Sequence, residues 1–269
     1  MSTTAFIEAL RNALPERFLV EGEHKSGGQG SVFRGRYDDQ PAALKIFKPS
    51  DDIRRIHREI DLLREIDCPN LIKVLATEKI MIDGTNLELI AYEFHPGGDL
   101  SDTFAPEAPH LPEDELVRIG HEIGTAVDLL WEKRVVHRDI KPANIVRAAD
   151  GRYVLVDVGF ACQLDRSTLT APGFAVGTVG YMSPEQARGR RNLTIHSDAF
   201  SLGLTLFEVA CKVHPFSRDQ RIICSGQGPT SLRSLRPDLS TGFSSAVHRM
   251  MSSFPALRPR SLAMHFSSL

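Results

Sequence analysis

The sequence lacks the features of a disulfide framework or a zinc site. It contains only four cysteines, Cys68, Cys162, Cys211 and Cys224, in 269 residues. They are far apart and form no C-x-x-C pair, which is the usual spacing of structural zinc ligands. This pattern fits a reducing compartment, and we expect a cytoplasmic location.

The sequence also lacks long apolar runs and a surplus of charge. No segment approaches the roughly eighteen uncharged apolar residues that a membrane-spanning helix needs. The N-terminus, MSTTAFIEALRNALPERF, has no basic region before an apolar one, so we expect no signal peptide. The formal net charge of −2 favours neither nucleic acid nor an anionic membrane as the main partner.

The composition is that of an ordinary globular protein, with 42% hydrophobic and 25% charged residues. The length suits one large domain or two small lobes. Near the N-terminus, Phe6, Ile7, Leu10 and Leu14 recur at helical spacing until Pro15. Two interpretations fit this segment, a short helix that docks on the rest of the chain or a frayed terminus.

The first third of the chain alternates between strand and helix patterns. Residues 19–48 contain two β-rich runs around a turn signal at residues 38–41, and the runs LIKVLATEKIMI and LELIAYEF also predict strands. Between these pairs, apolar residues from Ile53 to Ile66 recur at steps of three and four, which predicts an amphipathic helix. We place the join to a second lobe at HPGGD, residues 95–99.

Beyond the join the patterns are mostly helical. Leu116, Ile119, Ile123, Val127 and Leu130 predict a second helix. It is followed by YVLVDVGFA, a short strand that runs into a turn, and from Ser197 onward further helices are expected.

Between these two patterns lies an unusually polar segment, VHRDIKPANIV, residues 136–146. Burying its charges beside apolar residues is costly unless each has a partner, so the charges either lie in a polar loop or meet a ligand. Asp139 can accept a hydroxyl proton and Lys141 can neutralise charge on a transferred group. Asn144 and the later Asp157 are hard oxygen ligands suited to Mg²⁺ that also holds phosphate oxygens.

Three features nearer the N-terminus are compatible with the same ligand, and each has a simpler interpretation. In KSGGQGSVFRG, Gly27, Gly28 and Gly30 let the backbone approach a phosphate, although a plain hairpin turn fits too. In AALKIF, Lys45 needs an anion beside its apolar neighbours, or it is a surface lysine. Glu59 borders the buried stripe of its helix and is a candidate partner for Lys45, or it is a solvated glutamate.

From about Leu19 to Ser261 the chain resembles the eukaryotic-type (Hanks-type) serine/threonine protein kinases. The motif YMSPEQARGR resembles that of bacterial members. HRDIKPAN, GTVGYMSPEQ and SDAFSLG carry this resemblance, and Lys141 resembles the serine/threonine branch. It implies an α+β, two-lobed fold, with a small antiparallel sheet and one main helix in the N-lobe and a larger, mostly helical C-lobe. The implied divisions are a helical extension, 1–18, an N-lobe, 19–94, and a C-lobe, 95–269.

The resemblance implies a reaction in which ATP, with Mg²⁺ or Mn²⁺, phosphorylates serine or threonine of a protein substrate. Lys45, held by Glu59, would bind the α- and β-phosphates, and Asp139 would orient and deprotonate the acceptor hydroxyl with Lys141 beside it. Asp157 would bind the bridging metal ion and Asn144 the second metal position.

The remaining implied contacts surround the nucleotide or support the site. The glycines would cover the phosphates, Tyr92 would close the back of the pocket, and Asp99 would either contact the ribose or cap a helix. The adenine would be held by Val32, Ala43, Glu93 and His95. Thr178 would contact Asp139 and Lys141, Glu185 would pair with Arg258, and Asp198 would receive backbone N–H groups of the segment around Asp139.

The chain departs from the family pattern at the phosphate loop, where Lys25 replaces the first glycine and Gln29 the aromatic tip. The family's Asp-Phe-Gly motif is Asp-Val-Gly in this chain, at residues 157–159. Val158 is smaller than the usual phenylalanine, so apolar contact worth about 1–2 kcal/mol is lost. A loss of that size is enough to shift an equilibrium between active and inactive conformations. Phe160, two residues on, is a candidate to fill the space.

Arg138 has two interpretations, since it either meets a phosphate on Ser167, Thr168 or Thr170 or bonds the local backbone. The first interpretation predicts autophosphorylation, with Thr170 as the first choice. We expect no sensor or anchor after the kinase region, and we therefore expect a regulatory partner, a ligand or the N-terminal segment to supply the signal. The alternatives to an active protein kinase are a pseudokinase that binds nucleotide or partners and, less favoured, a small-molecule kinase.

Overall fold

The computed structural model describes residues 2–27, 30–47, 53–158, 162–163, 177–267 and 269, and the side chains of these except at 23–27, 30, 53–55, 59, 162 and 163. The chain forms two compact units. The first unit contains Met1–Asp67 and Ile72–His95, and the second contains Cys68–Leu71 and Pro96–Leu269.

The first unit is built on an antiparallel sheet of five strands in the order β1-β2-β3-β5-β4. The strands are β1 Phe18–Gly27, β2 Gly30–Tyr37, β3 Gln40–Ile46, β4 Val74–Ile82 and β5 Thr85–Glu93. Tight turns join β2 to β3 and β4 to β5, and their central pairs, Asp38-Asp39 and Asp83-Gly84, all have positive φ. Two-residue hairpin loops need this backbone conformation, so the predicted pairing of the strands is confirmed.

Two helices accompany the sheet, α1 Thr3–Ala13 and α2 Ile53–Glu65. Leu10 of α1 is fully buried in the core of the sheet, and the Phe6 ring centroid lies 6.0 Å from that of Phe33. The Arg11 guanidinium donates two hydrogen bonds, of 2.9 and 2.8 Å, to the Val20 carbonyl. The N-terminal segment is therefore a docked helix and not a frayed terminus. The predicted apolar stripe of α2 is buried at Ile56, Ile60 and Leu63.

The second unit is mostly helical, and within its described residues four short strands form two pairs, β6 with β9 and β7 with β8. The strands are β6 Val135–Val136, β7 Ile145–Arg147, β8 Tyr153–Leu155 and β9 Cys162–Gln163. The α-helices are α3 Glu113–Glu132, α4 Pro184–Ala187, α5 Ile195–Cys211, α6 Gln220–Ser225, α7 Leu232–Leu235, α8 Thr241–Met250 and α9 Leu262–Phe266. Short 3₁₀ helices cover Leu100–Phe104, Pro142–Asn144 and Pro255–Leu257.

The core of the second unit surrounds α5, which is buried along almost its whole length. Helix α3 packs closely on α9, because Gly124 leaves room where a Cβ would meet the Leu262 backbone at 2.7 Å. The Asp128 carboxylate accepts hydrogen bonds from the Leu262 and Ala263 amides and so caps α9.

An antiparallel sheet in one unit and a mostly helical second unit confirm the predicted α+β class. Of the helices in the part of the chain that the structure describes, none combines the length and the apolar character that crossing a membrane requires.

Candidate active site

The polar segment of residues 137–144 leaves β6 as a loop that is anchored by α5. Asp198, in the first turn of α5, accepts hydrogen bonds from the amides of His137 at 2.8 Å and Arg138 at 2.9 Å. Arg138 has a φ of 72°, a conformation that costs free energy outside glycine and that these bonds help to maintain. Burial raises the pKa of Asp198, and the two N–H donors oppose that shift.

Asp139 is the centre of a buried hydrogen-bond network. Its Oδ2 accepts from Lys141 Nζ at 2.7 Å and from Asn144 Nδ2 at 3.0 Å, and its Oδ1 accepts from the Thr178 amide at 2.7 Å. Lys141 Nζ also donates to Thr178 Oγ1 at 2.6 Å. The sequence predicted the contact of Thr178 with both residues. The network fixes the Asp139 carboxylate between a cation and an amide that is 39 residues away in the chain.

The hairpin of β7 and β8 places the two predicted metal ligands at the same end. Asn144 directly precedes β7 and Asp157 follows β8 by two residues, and Ile145 pairs with Leu155. The Val156 amide donates to the Asn144 carbonyl at 2.9 Å. Asp157 directly follows Val156, so this bond holds the backbone next to Asp157 against Asn144. Asp157 itself has a φ of 62°, which turns the chain sharply there.

The donor atoms of Asn144 and Asp157 fit a hard divalent cation. Both hydrogen bonds of the Asn144 side chain use Nδ2 as the donor, which leaves Oδ1 as the atom suited to a metal. Among the described residues no three His, Cys, Asp or Glu side chains gather as a metal cage. One amide and one carboxylate suit Mg²⁺, which keeps waters and shares phosphate oxygens with a substrate.

In the first unit, Lys45 lies on β3 and is 8% exposed. It pairs with Val32 of β2 and with Ile90 of β5, and its Nζ is 5.1 Å from the centroid of the Phe47 ring. Strand alternation puts Val32, Ala43 and Lys45 on one face of the sheet. Leu44, between Ala43 and Lys45, belongs to the core on the opposite face.

The predicted phosphate loop and the partner of Lys45 are only partly described. Gly27 and Gly30 form the last pair of the β1–β2 ladder, whereas Gly28 and Gln29 lie outside the described residues. The backbone of Glu59 belongs to α2, but its side chain lies outside the described part of the chain. The predicted pair of Glu59 with Lys45 therefore stays a prediction.

Of the residues predicted to meet the adenine and ribose, Val32, Ala43, Glu93 and His95 belong to the first unit and Asp99 to the second. Tyr92 is buried in β5, and the Glu93 amide donates to the Lys73 carbonyl at 3.0 Å. His95 is the last residue of the first unit. Asp99 caps the 3₁₀ helix Leu100–Phe104 by accepting from the Ser101 amide at 3.0 Å. The capping role is therefore present, and a ribose contact of Asp99 stays a prediction.

Glu185 and Arg258 form the predicted buried ion pair, with Nη1–Oε1 and Nη2–Oε2 distances of 2.6 and 3.2 Å. Ser197 Oγ donates to the same Glu185 Oε1 at 2.8 Å. Burial alone would raise the pKa of Glu185, but the hydrogen bonds and charge of Arg258 hold it below its usual value. The carboxylate therefore stays ionised in the core.

Sequence reasoning missed two supports of the network around Asp139. Gln186 Nε2 donates to the Arg138 carbonyl at 2.7 Å, and a Cβ on Gly177 would collide with both groups. The buried His137 accepts at Nδ1 from the Asp139 amide at 3.3 Å. Gln186 is the last residue of GTVGYMSPEQ and His137 is the first residue of HRDIKPAN. Their place in these two motifs was the signal available from the sequence.

Several other predictions fall on parts of the chain that the structure does not describe. Outside the described residues or side chains are the candidate phosphosites Ser167, Thr168 and Thr170, the gap-filling candidate Phe160, and the Lys25 side chain. Val158, the departure from DFG, is described and is buried at 1% exposure.

Two features define the class of the protein kinases. One is an antiparallel sheet with a buried lysine on its third strand, and the other is a helical unit that contains an HRDIKPAN segment. The family model for the protein kinase domain matches residues 23–260. This chain therefore belongs to the protein kinase domain family.

Its relatives include bacterial members of that family. The Lactococcus lactis protein "Probable serine/threonine-protein kinase PknB" is 31% identical over 215 residues, covering 77% of this chain and 33% of that protein. "Serine/threonine-protein kinase pkn3" of Myxococcus xanthus is 32% identical over 284 residues, or 97% and 51%. "Serine/threonine-protein kinase PrkC" of Bacillus subtilis is 31% identical over 203 residues, or 73% and 30%. These alignments cover between 30% and 51% of the length of the three relatives, and they confirm the resemblance to bacterial members.

Proposed function

We propose that this protein is an ATP-dependent serine/threonine protein kinase that transfers the γ-phosphoryl group to hydroxyls of protein substrates. The observation that carries the proposal is the Asp139 carboxylate, held by Lys141, Asn144 and the Thr178 amide. Membership of the protein kinase family and the names of the relatives support this reaction.

At the acceptor, Asp139 orients the hydroxyl and takes its proton as the phosphoryl group is transferred. Lys141 lies 2.7 Å from this carboxylate and supplies positive charge where the transferred group develops negative charge. Thr178 bonds both side chains and keeps their spacing. Phosphoryl transfer depends mainly on such positioning and charge neutralisation, so these fixed side chains account for most of what the protein contributes.

For the nucleotide, we assign Lys45 to the α- and β-phosphates and Glu59 to the support of Lys45. Buried at 8% exposure, the lysine is suited to an anionic partner. The backbone around the glycines covers the phosphates, and Asp99 contacts the ribose in addition to capping its helix. The glycines are Gly27, Gly28 and Gly30, and the residues assigned to the adenine are Val32, Ala43, Glu93 and His95.

Asn144 and Asp157 are assigned to the metal. A bound Mg²⁺ would neutralise phosphate charge and orient the phosphates for transfer. Mn²⁺ accepts the same oxygen ligands and is the alternative ion. The protein's own part is to hold the amide and the carboxylate at one end of the β7–β8 hairpin.

Autophosphorylation on Ser167, Thr168 or Thr170 extends the proposal, with Thr170 as the first site to test. Arg138 supports it, because its Nε is buried and has no hydrogen-bond partner among the described residues. A phosphate is a ligand that such a guanidinium binds well. We also propose a regulatory protein partner as one source of the activating signal.

The test is a phosphorylation assay with γ-labelled ATP, Mg²⁺ and myelin basic protein as the acceptor, with small aminoglycosides as alternative acceptors. We expect label on the protein acceptor with the wild type and a loss of at least about 1,000-fold in Asp139→Asn and Lys45→Met. Intact mass after incubation with Mg²⁺-ATP reports autophosphorylation.

A wild type that is stabilised by Mg²⁺-ATP in a thermal-shift assay but labels no protein, itself included, would show a pseudokinase and overturn the proposal. Labelling of the aminoglycosides alone would show a small-molecule kinase and overturn it equally.

A further inference from the structure

The stretch 214–220, which follows α5 and ends at the first residue of α6, holds the segment 177–182 by its main chain. We call them the clamp loop and the acceptor segment. His214 Nε2 lies 3.0 Å from the Gly180 carbonyl oxygen. Gln220 accepts from the Gly180 amide through Oε1 at 3.2 Å and donates from Nε2 to the Met182 carbonyl at 3.0 Å. Two side chains of the clamp loop therefore bond three main-chain groups of the acceptor segment.

A second attachment runs through a buried carboxylate. Arg218 of the clamp loop donates from Nε and Nη2 to Glu208 Oε1 at 3.1 and 2.6 Å. The Tyr181 hydroxyl of the acceptor segment donates to Glu208 Oε2. Burial raises the pKa of Tyr181, so the phenol keeps the proton that this bond needs. Glu208 thus joins the clamp loop and the acceptor segment through its two oxygens.

The clamp loop has an unusual backbone that His214 stabilises. Ser217 and Arg218 have φ values of 51° and 56°, which residues other than glycine adopt only at a cost. His214 Nδ1 accepts from the amides of Phe216 at 3.2 Å and Arg218 at 2.9 Å. Since Nδ1 is the acceptor, the neutral ring carries its proton on Nε2, and this proton is donated to the Gly180 carbonyl.

The acceptor segment allows this close approach only because Gly180 has no side chain. A Cβ there would lie 3.1 Å from Arg218 Cβ and 3.3 Å from its Cα, and Gly180 has a φ of 94°. Two residues earlier, Thr178 contacts Asp139 and Lys141. Within three residues of the acceptor segment, Gly180 is therefore bonded to the clamp loop and Thr178 to the catalytic residues.

We propose that His214, Arg218 and Gln220 are positioning residues, which set the acceptor segment so that a protein hydroxyl is aligned with Asp139. This inference rests on the proposed kinase function. The three residues act on the acceptor substrate and not on the nucleotide, because their described bonds run to the acceptor segment, to Glu208, to Cys224 of α6 and within the clamp loop.

The test compares Gln220→Ala and the isosteric Gln220→Glu with the wild type. The matched control is Arg221→Ala, the next residue, whose side chain is 91% exposed. We expect kcat/KM for myelin basic protein to fall about tenfold in Gln220→Ala and less in Gln220→Glu, which keeps the acceptor oxygen. The KM for Mg²⁺-ATP should stay within about twofold of the wild type, because the described bonds of Gln220 do not run to the residues assigned to the nucleotide.

Amide hydrogen exchange gives a readout that needs no activity. Peptides covering 177–182 should exchange faster in Gln220→Ala than in the wild type or Arg221→Ala, since the Gly180 amide loses its acceptor. Unchanged exchange, or a rise in the KM for Mg²⁺-ATP as large as the loss of kcat/KM for the protein acceptor, would overturn the positioning role. A wild type without kinase activity would instead overturn the proposed function, and the exchange result would still decide whether the clamp exists.

Discussion

Arg258 Nη1 lies 2.6 Å from Glu185 Oε1, in a pair whose side chains are both almost completely buried. The guanidinium also donates to the carbonyls of Ser252 and His196, each at 2.8 Å, and its carbon lies 4.7 Å from the centroid of the Phe200 ring. A buried charge is tolerated when it has such partners. The pair therefore joins α4 to the chain that precedes α9.

Removing one member of this pair should be strongly destabilising. Arg258→Met leaves the Glu185 carboxylate buried without its counter-charge, and we expect the free energy of unfolding to fall by about 3–5 kcal/mol. Urea unfolding followed by circular dichroism measures it.

Arg221→Ala is the control, because the Arg221 side chain is 91% exposed, and the loss of its pair with the half-buried Asp219 should cost less than about 1 kcal/mol. Equal losses in the two variants would mean that burial does not decide the strength of the Glu185 pair. In the double variant Glu185→Gln/Arg258→Met, part of the stability should return.

The Thr178 hydroxyl should matter for the phosphorylation of protein acceptors. Thr178→Val keeps the shape and the amide bond to Asp139 but removes the oxygen that Lys141 contacts at 2.6 Å. A hydrogen bond to a charged group is worth about 1.5–3 kcal/mol, so kcat/KM for myelin basic protein should fall roughly 10- to 100-fold.

Thr178→Ser is the matched variant, since it retains a hydroxyl at the same place. It should remain within about threefold of the wild type, a change below 1 kcal/mol. If the serine and valine variants lose activity equally, the contact of the hydroxyl with Lys141 has no part in catalysis.

Local patterns were sufficient to predict most elements of the fold. Alternation in AALKIF predicted that Lys45 and Ala43 share a face, and the strand register agrees. The steps of three and four in α2 predicted its buried stripe. These features depend on neighbouring residues, so a single sequence contains the information for them.

Contacts between distant residues required a different kind of inference. Asp139 and Thr178 are 39 residues apart, and only the resemblance to kinases brought them together. The clamp loop was not predicted at all, because Gln220 and His214 stand outside any quoted motif. Their hydrogen bonds to Gly180 depend on how the second unit folds back on itself, which periodicity does not encode.

Mild acid should reduce stability through the buried His214 and the half-buried His196. Burial lowers the pKa of His214 and of His196 in the folded protein. Below the unfolded value of about 6.5, the unfolded chain therefore binds protons that the folded chain does not, and the free energy of unfolding decreases as the pH falls. Between pH 7.5 and 5.5 we expect a loss of about 1–2 kcal/mol, measured by urea unfolding.

His214→Gln should reduce this pH dependence, whereas His121→Gln, at an exposed position of α3, should leave it unchanged. A second decrease should follow at lower pH. Because Arg258 lowers the pKa of Glu185, the stabilisation from this carboxylate is present above about 4.5 and is lost as the pH falls through the lower folded value. A flat profile between pH 7.5 and 5.5 would contradict the role assigned to the histidines.

The docked N-terminal helix should contribute to the stability of the first unit. Leu10 is fully buried in the core beside Phe33, on the face of the sheet opposite Lys45. Leu10→Ala should lower the free energy of unfolding by about 2–5 kcal/mol, because it removes apolar contact and leaves a cavity. Leu19→Ala is the matched control, since Leu19 is 52% exposed in β1 and its truncation should cost less than about 1 kcal/mol. Equal effects of the two substitutions in urea unfolding would show that α1 does not stabilise the sheet.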